Sequence, residues 1–169
     1  MRKFLLPALA AGLAFAAASA ASAQIVHINP NKAFISSAVT VPAGSDTIYV
    51  SGITPDPLDK AKPTEYGDAK AQTISILTKI EAILKGAGYS FSDVAMMRVL
   101  LVGDPANGGK MDFAGMNAGY TQFFGSLENK PARITSQIVA LAGPFNVEIE
   151  VQAAKTPMKP AAKAPAKKK

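Results

Sequence analysis

The chain has 169 residues, a formal net charge of +6, and neither cysteine nor tryptophan. Without cysteine it has no thiol nucleophile, no cysteine metal ligand and no disulfide bond. The positive charge belongs to the two ends, because residues 24–154 carry ten Lys and Arg against twelve Asp and Glu. A mildly acidic body without a basic stripe is a poor candidate for specific binding of nucleic acid.

Residues 1–23 have the pattern of a secretory signal peptide. Two basic residues precede an apolar run rich in alanine, and Ala21-Ser22-Ala23 supplies small residues before a cleavage point at Gln24. The apolar run is shorter than the roughly 20 residues that span a bilayer, which favours cleavage over a retained anchor. We therefore expect an exported protein, periplasmic or secreted, with no transmembrane segment in its mature chain.

The last segment, residues 155–169, contains only Lys, Ala, Pro, Met and Thr. It lacks the apolar periodicity that builds a core, which predicts a disordered tail. Such a tail could bind an anionic envelope surface, and the alternative is a short, solvated extension. Between the two ends, residues 24–154 have the length of one domain.

The first half of this domain is predicted to form two strands and a helix. Residues 36–41 and 47–51 are short β-rich runs separated by Pro42-Ala43-Gly44, which predicts a strand pair. After a proline-rich loop, apolar residues at helical spacing predict a helix from about Tyr66 to Ala87, with Thr64 as its cap.

The second half is predicted to contain a strand, a helix and two more strands. Val94 to Val102 is long and rich in β-branched residues, and Asp112 is a good cap for a helix through Phe124. Strands follow at 134–141 and 147–153. The order β-β-α-β-α-β-β predicts an α+β fold, in which a single sheet carries both helices on one face. The other face then needs a cover, and a subunit interface would supply one.

Two sequence elements near the C-terminus suggest chemistry. Strand alternation places Glu148 and Glu150 on one face, where a glutamate could orient a water molecule, or where both could be ordinary solvated residues. Arg133 stands at the entry to the preceding strand. A guanidinium binds a carboxylate through two parallel hydrogen bonds, although a surface ion pair is the alternative. His27 is the sole histidine, which argues against a Ser-His-Asp triad or a histidine metal site.

Several segments resemble the RidA (YjgF-type) reactive-intermediate deaminase family. "YVSGITPDP" is similar to the strand and turn "SGQIP" of that family, and "MDFAGMNAGYTQFF" is similar to its "DFxxxNxxYxxFF" helix. The "PAR" and "EIE" elements are the most specific parts of the resemblance, which runs from about Ile48 to Ala153. It implies a chorismate-mutase-like fold and a homotrimer with three sites in the clefts between subunits.

The resemblance also implies an activity, the hydrolysis of 2-imino acids to 2-keto acids and ammonia without metal or cofactor. Arg133 would then clamp the carboxylate of the substrate, and Glu148 would position water for attack at the imine carbon. The residues that match substrate-binding positions are Ser51, Gly52, Asn117 and Thr135.

One departure from the family concerns the pocket wall, because Ala38 stands about where the family has a tyrosine. The sequence therefore leaves a second interpretation open, a non-catalytic trimer that binds small carboxylates or acts as a chaperone or interaction platform. In a third interpretation, the Lys-rich tail tethers the trimer to anionic envelope polymers, with three tails adding avidity.

Overall fold

The structure is a computed structural model that describes residues 24–29 and 32–156. The predicted signal peptide lies outside the described residues, as does the predicted tail from residue 157 onward. Lys155, the first residue of that tail, is instead the last residue of a strand. Among the described residues, no helix combines the length and the apolar character needed to cross a membrane. The elements in chain order are β1 (Val26–Ile28), β2 (Ala38–Thr40), β3 (Asp46–Ile53), α1 (Ala69–Gly86), β4 (Val94–Val102), α2 (Phe113–Phe124), β5 (Ala132–Ile138) and β6 (Val147–Lys155).

The main sheet has four strands in the order β3-β6-β4-β5. The last strand, β6, lies between β3 and β4 and is antiparallel to both, whereas β5 is parallel to β4. A parallel pair requires a crossover connection, and α2 provides it between β4 and β5. This arrangement confirms the predicted α+β fold of one sheet with two helices, and it leaves β5 at an edge of the sheet beside α2.

The predicted pairing of residues 36–41 with 47–51 is wrong. Residues of β2 pair instead with β1, a strand that the sequence analysis did not predict, in a separate two-stranded sheet. The partner of β3 is β6, about a hundred residues further along the chain. Alternation of side chains identifies a strand but does not identify its partner. The observed pairing of β3 with β6 places the apolar face of β3 against the helices.

Helix α1 begins later than predicted, whereas α2 begins where the sequence places it. Gly67 has a φ of +75°, which a right-handed helix does not allow, so Asp68 caps α1 in place of Thr64. Its Oδ1 accepts a hydrogen bond from the backbone N–H of Ala71 at 2.8 Å. Asp112 caps α2 in the same way, accepting from the N–H of Gly115 at 2.8 Å.

The hydrophobic core lies between the helices and one face of the sheet. Val147, Ile149 and Val151 of the central strand β6 are at most 1% exposed, and the intervening Glu148 and Glu150 point to the opposite face. We call that opposite face the open face. The apolar residues of the helices that are 0% exposed and belong to this core are Ile76, Leu77, Ile80, Leu84, Met116 and Phe124.

Candidate functional site

Arg133 lies within β5 and points to the helix side of the sheet. The strand begins at Ala132, two residues before the predicted start, so Arg133 is part of the strand rather than its entry. It is paired in register with Met97 of β4, whose side chain is fully buried under the helices. Because neighbouring residues in register share a face, the side chain of Arg133 is directed toward α2.

Helix α2 and the segment before β2 surround the guanidinium. Nη2 of Arg133 donates a hydrogen bond to Oδ1 of Asn117 at 2.9 Å, and Nη1 lies 3.9 Å from the sulfur of Met116. The ring centroid of Tyr120 lies 4.5 Å from the guanidinium carbon. The rings of Phe34 and Phe113 are 5.4 and 5.9 Å away. Aromatic faces attract a cation without neutralising it, so these contacts hold the guanidinium and leave its charge uncompensated.

Backbone pairing with the start of β5 accounts for the position of Phe34. Ser36 forms a parallel bridge with Ala132, and its N–H donates to the carbonyl of Pro131 at 3.0 Å. This contact carries residues 32–37 alongside the edge strand. Phe34 is therefore brought to Arg133 although the two are almost a hundred residues apart in the chain.

No carboxylate among the described residues lies within salt-bridge distance of Arg133. Burial accordingly lowers the pKa of Arg133. Burial also raises the pKa of Tyr120 to about 12, so its phenol is neutral at ordinary pH and gives the guanidinium no counter-charge. The surface ion pair that the sequence left open for Arg133 is therefore contradicted within the described part of the chain.

Thr135 lies on the same face of β5, two residues after Arg133. Its Oγ1 is buried, as is the hydroxyl of Tyr120, and neither atom has a hydrogen-bond partner among the described residues. A buried hydroxyl without a partner is costly and is rare in native structures. We call Arg133, Asn117 and Thr135 the clamp group.

A second group of predicted residues lies on the open face. Val50 and Ile53 of β3 pair with Val151 and Ile149 of β6, so Ser51 and Gly52 form a bulge opposite the single residue between them. A β-carbon on Gly52 would overlap Oε1 of Glu148. The absence of a side chain at residue 52 thus makes room for the Glu148 carboxylate. We call Glu148, Ser51 and Gly52 the carboxylate group.

The two glutamates of β6 differ in their partners. Oε1 of Glu150 lies 2.7 Å from Nη1 of Arg98, which is a solvated ion pair of the ordinary kind. Glu148 makes no ion pair or side-chain hydrogen bond with any other residue of the described ranges. Of the two, Glu148 is the one whose carboxylate is available to a ligand or a water molecule.

The structure thus divides the six predicted site residues between two faces of one sheet. The clamp group lies on the helix side at the edge of the sheet, and the carboxylate group lies on the open face. Since the sheet separates them, a single protomer does not bring Arg133 and Glu148 to one small ligand. A site that uses both groups requires two copies of the chain.

Two other residues singled out by sequence lie apart from these groups. Ala38 is an exposed residue of β2, paired with Ile28. His27 lies in β1, and its Nδ1 is 2.7 Å from the carbonyl oxygen of Lys130. In the described part of the chain, no cluster of three or more His, Asp or Glu side chains could hold a metal ion.

Sequence reasoning missed the aromatic surroundings of Arg133. Phe113, Asn117 and Tyr120 lie on one face of α2, because their spacing is helical. The family resemblance placed Asn117 at the site, so the two aromatic residues of the same helix face could have been predicted there as well. Phe34 gave no such signal, because its position depends on the bridge between Ser36 and the start of β5.

Comparison with known proteins finds relatives of two kinds, RutC family proteins and imine deaminases. A RutC family protein of Pyrococcus horikoshii is 39% identical over 107 residues, which cover 63% of this chain and 75% of the relative. The 3-aminoacrylate deaminase RutC of Acinetobacter baylyi is 38% identical over 58% of this chain and 72% of its own length. A 2-iminobutanoate/2-iminopropanoate deaminase of Capra hircus is 36% identical over 66% of this chain and 75% of its own length.

The solved structure of a protein of unknown function from the conserved Rid family of Yersinia pestis aligns with a TM-score of 0.60 and 27% identity. The alignment covers 78% of this chain and 99% of that one. The family model described as Endoribonuclease L-PSP matches residues 15–155. The chain therefore belongs to this family, Ribonuc_L-PSP, which is the RidA (YjgF-type) family that its sequence resembles.

Proposed function

We propose that this protein is an exported, homotrimeric deaminase that hydrolyses 2-imino acids to 2-keto acids and ammonia. The observation that carries the proposal is the guanidinium of Arg133, which is oriented by Asn117 and three rings yet has no carboxylate partner in the described protein. A half-buried cation of this kind is complementary to a small carboxylate.

Arg133 is the group that binds substrate in this proposal. Asn117 accepts from Nη2, which leaves other N–H groups of the guanidinium for two parallel bonds to a carboxylate. Thr135 lies on the same strand face, two residues further along β5. Binding would give the cation a counter-charge, so the apo state is arranged for an anionic ligand.

Glu148 is the group that activates water. Its carboxylate accepts a proton from a water molecule as the water oxygen forms a bond to the imine carbon, and the electron pair of the C=N bond moves to nitrogen. Glu148 returns this proton to the nitrogen, which gives a tetrahedral carbinolamine. The proton of the new hydroxyl group then passes by way of Glu148 to the nitrogen as the C–N bond breaks, so that ammonia leaves and the carbon–oxygen double bond forms. An imine carbon is already electrophilic, so holding water and substrate together supplies much of the catalysis.

The two-faced arrangement supports a site between subunits. The clamp group of one protomer and the carboxylate group of its neighbour would meet across the interface, and the open face would be covered in the same step. A closed ring of identical copies then forms one site at every interface, three in the proposed trimer. The relatives named 3-aminoacrylate deaminase and 2-iminobutanoate/2-iminopropanoate deaminase support the reaction class.

A non-catalytic trimer that binds small carboxylates is the alternative, and the observation that favours it is Ala38. This residue is exposed in β2 and brings no aromatic ring to the pocket. The two candidates differ in turnover but share the clamp group, so ligand binding alone does not separate them.

The proposed export depends on the sequence of residues 1–23, which lie outside the described ones. Expression of the full chain, followed by N-terminal sequencing of the protein recovered from the periplasm or medium, tests it. A chain that begins near Gln24 supports export, and a full-length chain retained in the cytoplasm contradicts it.

The activity is tested with imines generated in solution from amino acids by an amino-acid oxidase. The purified protein should speed the appearance of ammonia and 2-keto acid above the uncatalysed rate, and Arg133→Ala should abolish the increase. Binding of 2-keto acids without any acceleration would favour the non-catalytic alternative. Equal acceleration by the wild type and Arg133→Ala would remove Arg133 from the mechanism.

A further inference from the structure

We infer that Phe34 and Phe113 form an apolar wall that selects 2-imino acids with bulky apolar side chains over small or acidic ones. We call these two residues the aromatic mouth. This inference rests on the proposed function, since it assigns a substrate class to the same site. The juxtaposition that carries it is two half-exposed phenylalanine rings beside an arginine that has no carboxylate partner in the described chain.

The three rings around Arg133 have different exposures. Tyr120 is 1% exposed and lies beneath the guanidinium as part of the core, whereas Phe34 and Phe113 are 42% and 44% exposed. Tyr120 stacks on Phe124, and its centroid is 5.1 Å from that of Phe34. Tyr120 therefore forms the buried base beneath the guanidinium. Of the three rings, solvent or a ligand can reach only the two that form the aromatic mouth.

The distances place the aromatic mouth where the body of a substrate would lie. Both ring centroids are within 6 Å of the guanidinium carbon. A ligand whose carboxylate is paired with Arg133 therefore projects its remaining atoms beside these rings. Large apolar groups left half-exposed next to a binding cation are stabilised when an apolar group covers them.

The same geometry disfavours two other substrate classes. A methyl group, as in an alanine-derived imine, is too small to cover both rings. A second carboxylate, as in a glutamate-derived imine, would lose solvation beside the rings, because ring faces are no partners for an anion. Discrimination by an apolar wall is worth about 10- to 200-fold per missing methylene at most, so we expect a graded preference rather than exclusion.

The test compares imines that an oxidase generates from leucine, alanine and glutamate. The measured quantity is the ratio of kcat/KM for the leucine-derived imine to kcat/KM for the alanine-derived imine. In the wild type this ratio should exceed about ten, and Phe34→Ala should lower it about tenfold. Phe34→Leu, which keeps an apolar wall and serves if Phe34→Ala fails to fold, should retain most of the ratio.

Phe145→Ala is the matched control, because it removes a phenyl ring that contacts Tyr66, at 5.7 Å between centroids, rather than Arg133. It should leave the ratio unchanged. A wild-type ratio near one, or a Phe34→Ala variant that slows both imines equally, would overturn the inference while the deaminase function stands.

Calorimetric binding of keto acids separates this inference from the proposed function. The wild type should bind 4-methyl-2-oxopentanoate more tightly than 2-oxopropanoate, and Phe34→Ala should lose that preference. This result without imine turnover would support the aromatic mouth and contradict the deaminase. If the wild type binds neither keto acid, the inference about the aromatic mouth is overturned together with the deaminase function.

Discussion

Asn117 orients Arg133 without neutralising it. The amide Oδ1 accepts a hydrogen bond from Nη2 at 2.9 Å, and because an amide carries no charge, the guanidinium remains available to an anion. A carboxylate at the same place would satisfy the same hydrogen bond and also supply the counter-charge. The neutral side chain at residue 117 is therefore what keeps the clamp open.

Asn117→Asp should convert the clamp into an internal ion pair. The new carboxylate competes with the carboxylate of the substrate, so KM should rise at least about tenfold. The free energy of unfolding should not fall, since the cation gains a partner. Asn117→Ala, which removes the hydrogen bond without adding charge, should raise KM by less. An Asp variant with an unchanged KM would show that substrate does not bind at Arg133.

Arg133→Met should separate activity from stability. Removing the guanidinium should lower kcat/KM about 100-fold or more, because a desolvated charge pair with the substrate is lost. The free energy of unfolding of the apo protein, measured at fixed protein concentration, should stay equal or rise by about 1 kcal/mol. The cost of burying a cation that has no carboxylate partner among the described residues is removed, which offsets the loss of the hydrogen bond to Asn117. Loss of both activity and stability would contradict the uncompensated state of Arg133.

Arg133→Lys tests the geometry of the clamp rather than its charge. An ammonium group keeps the positive charge but offers no planar fork for two parallel bonds and no flat face for the surrounding rings. We expect Arg133→Lys to retain less than a tenth of the activity that is lost in Arg133→Ala. Full activity in this variant would mean that a point charge suffices.

Glu148→Gln and Glu150→Gln form a matched pair on one strand and one face. Glu148→Gln should lower kcat about 100-fold with little change in KM, since the amide cannot take a proton from water. Glu150→Gln breaks the exposed pair with Arg98 and should cost less than about 1 kcal/mol of stability while leaving kcat within a factor of two to three. An equal loss of kcat in both variants would mean that the negative charge of this face matters in general, rather than the carboxylate of Glu148 in particular.

Gly52→Ala should inactivate through Glu148. The new methyl group would overlap Oε1 of that carboxylate, so the side chain must swing away and lose its position over the bulge. The far end of a glutamate moves readily, so the free energy of unfolding should change by less than about 1.5 kcal/mol. Gly86→Ala, where a β-carbon meets open space at the end of α1, should leave kcat unchanged. An active Gly52→Ala variant would argue against a fixed position for Glu148.

The sequence correctly predicted the elements whose formation depends on residues close together in the chain. Strand β4 spans Val94–Val102 as its β-branched run indicates, and α2 begins after Asp112 because an aspartate cap is a local signal. Alternation along β6 correctly placed Glu148 and the valines on opposite faces. The start of α1 was missed because Gly67 adopts a positive φ, which glycine allows but does not require.

Long-range contacts were beyond the sequence patterns. The pairing of β2 with β1, and of Ser36 with Ala132, joins segments whose local patterns contain no information about their partners. The aromatic environment of Arg133 depends on these contacts and on the crossover through α2. Residue types and the family resemblance therefore singled out the arginine and the glutamate as candidates, whereas their division between two faces of the sheet emerged only from the fold.

In the proposed trimer, Arg133 of one protomer and Glu148 of another form one site. The direct measurement mixes two inactive variants, Arg133→Ala and Glu148→Gln, by unfolding and refolding them together in equal amounts. Random assembly pairs an intact arginine with an intact glutamate at one interface in four, so the mixture should regain about a quarter of wild-type activity in any closed ring. A mixture that stays as inactive as its components would contradict the shared site.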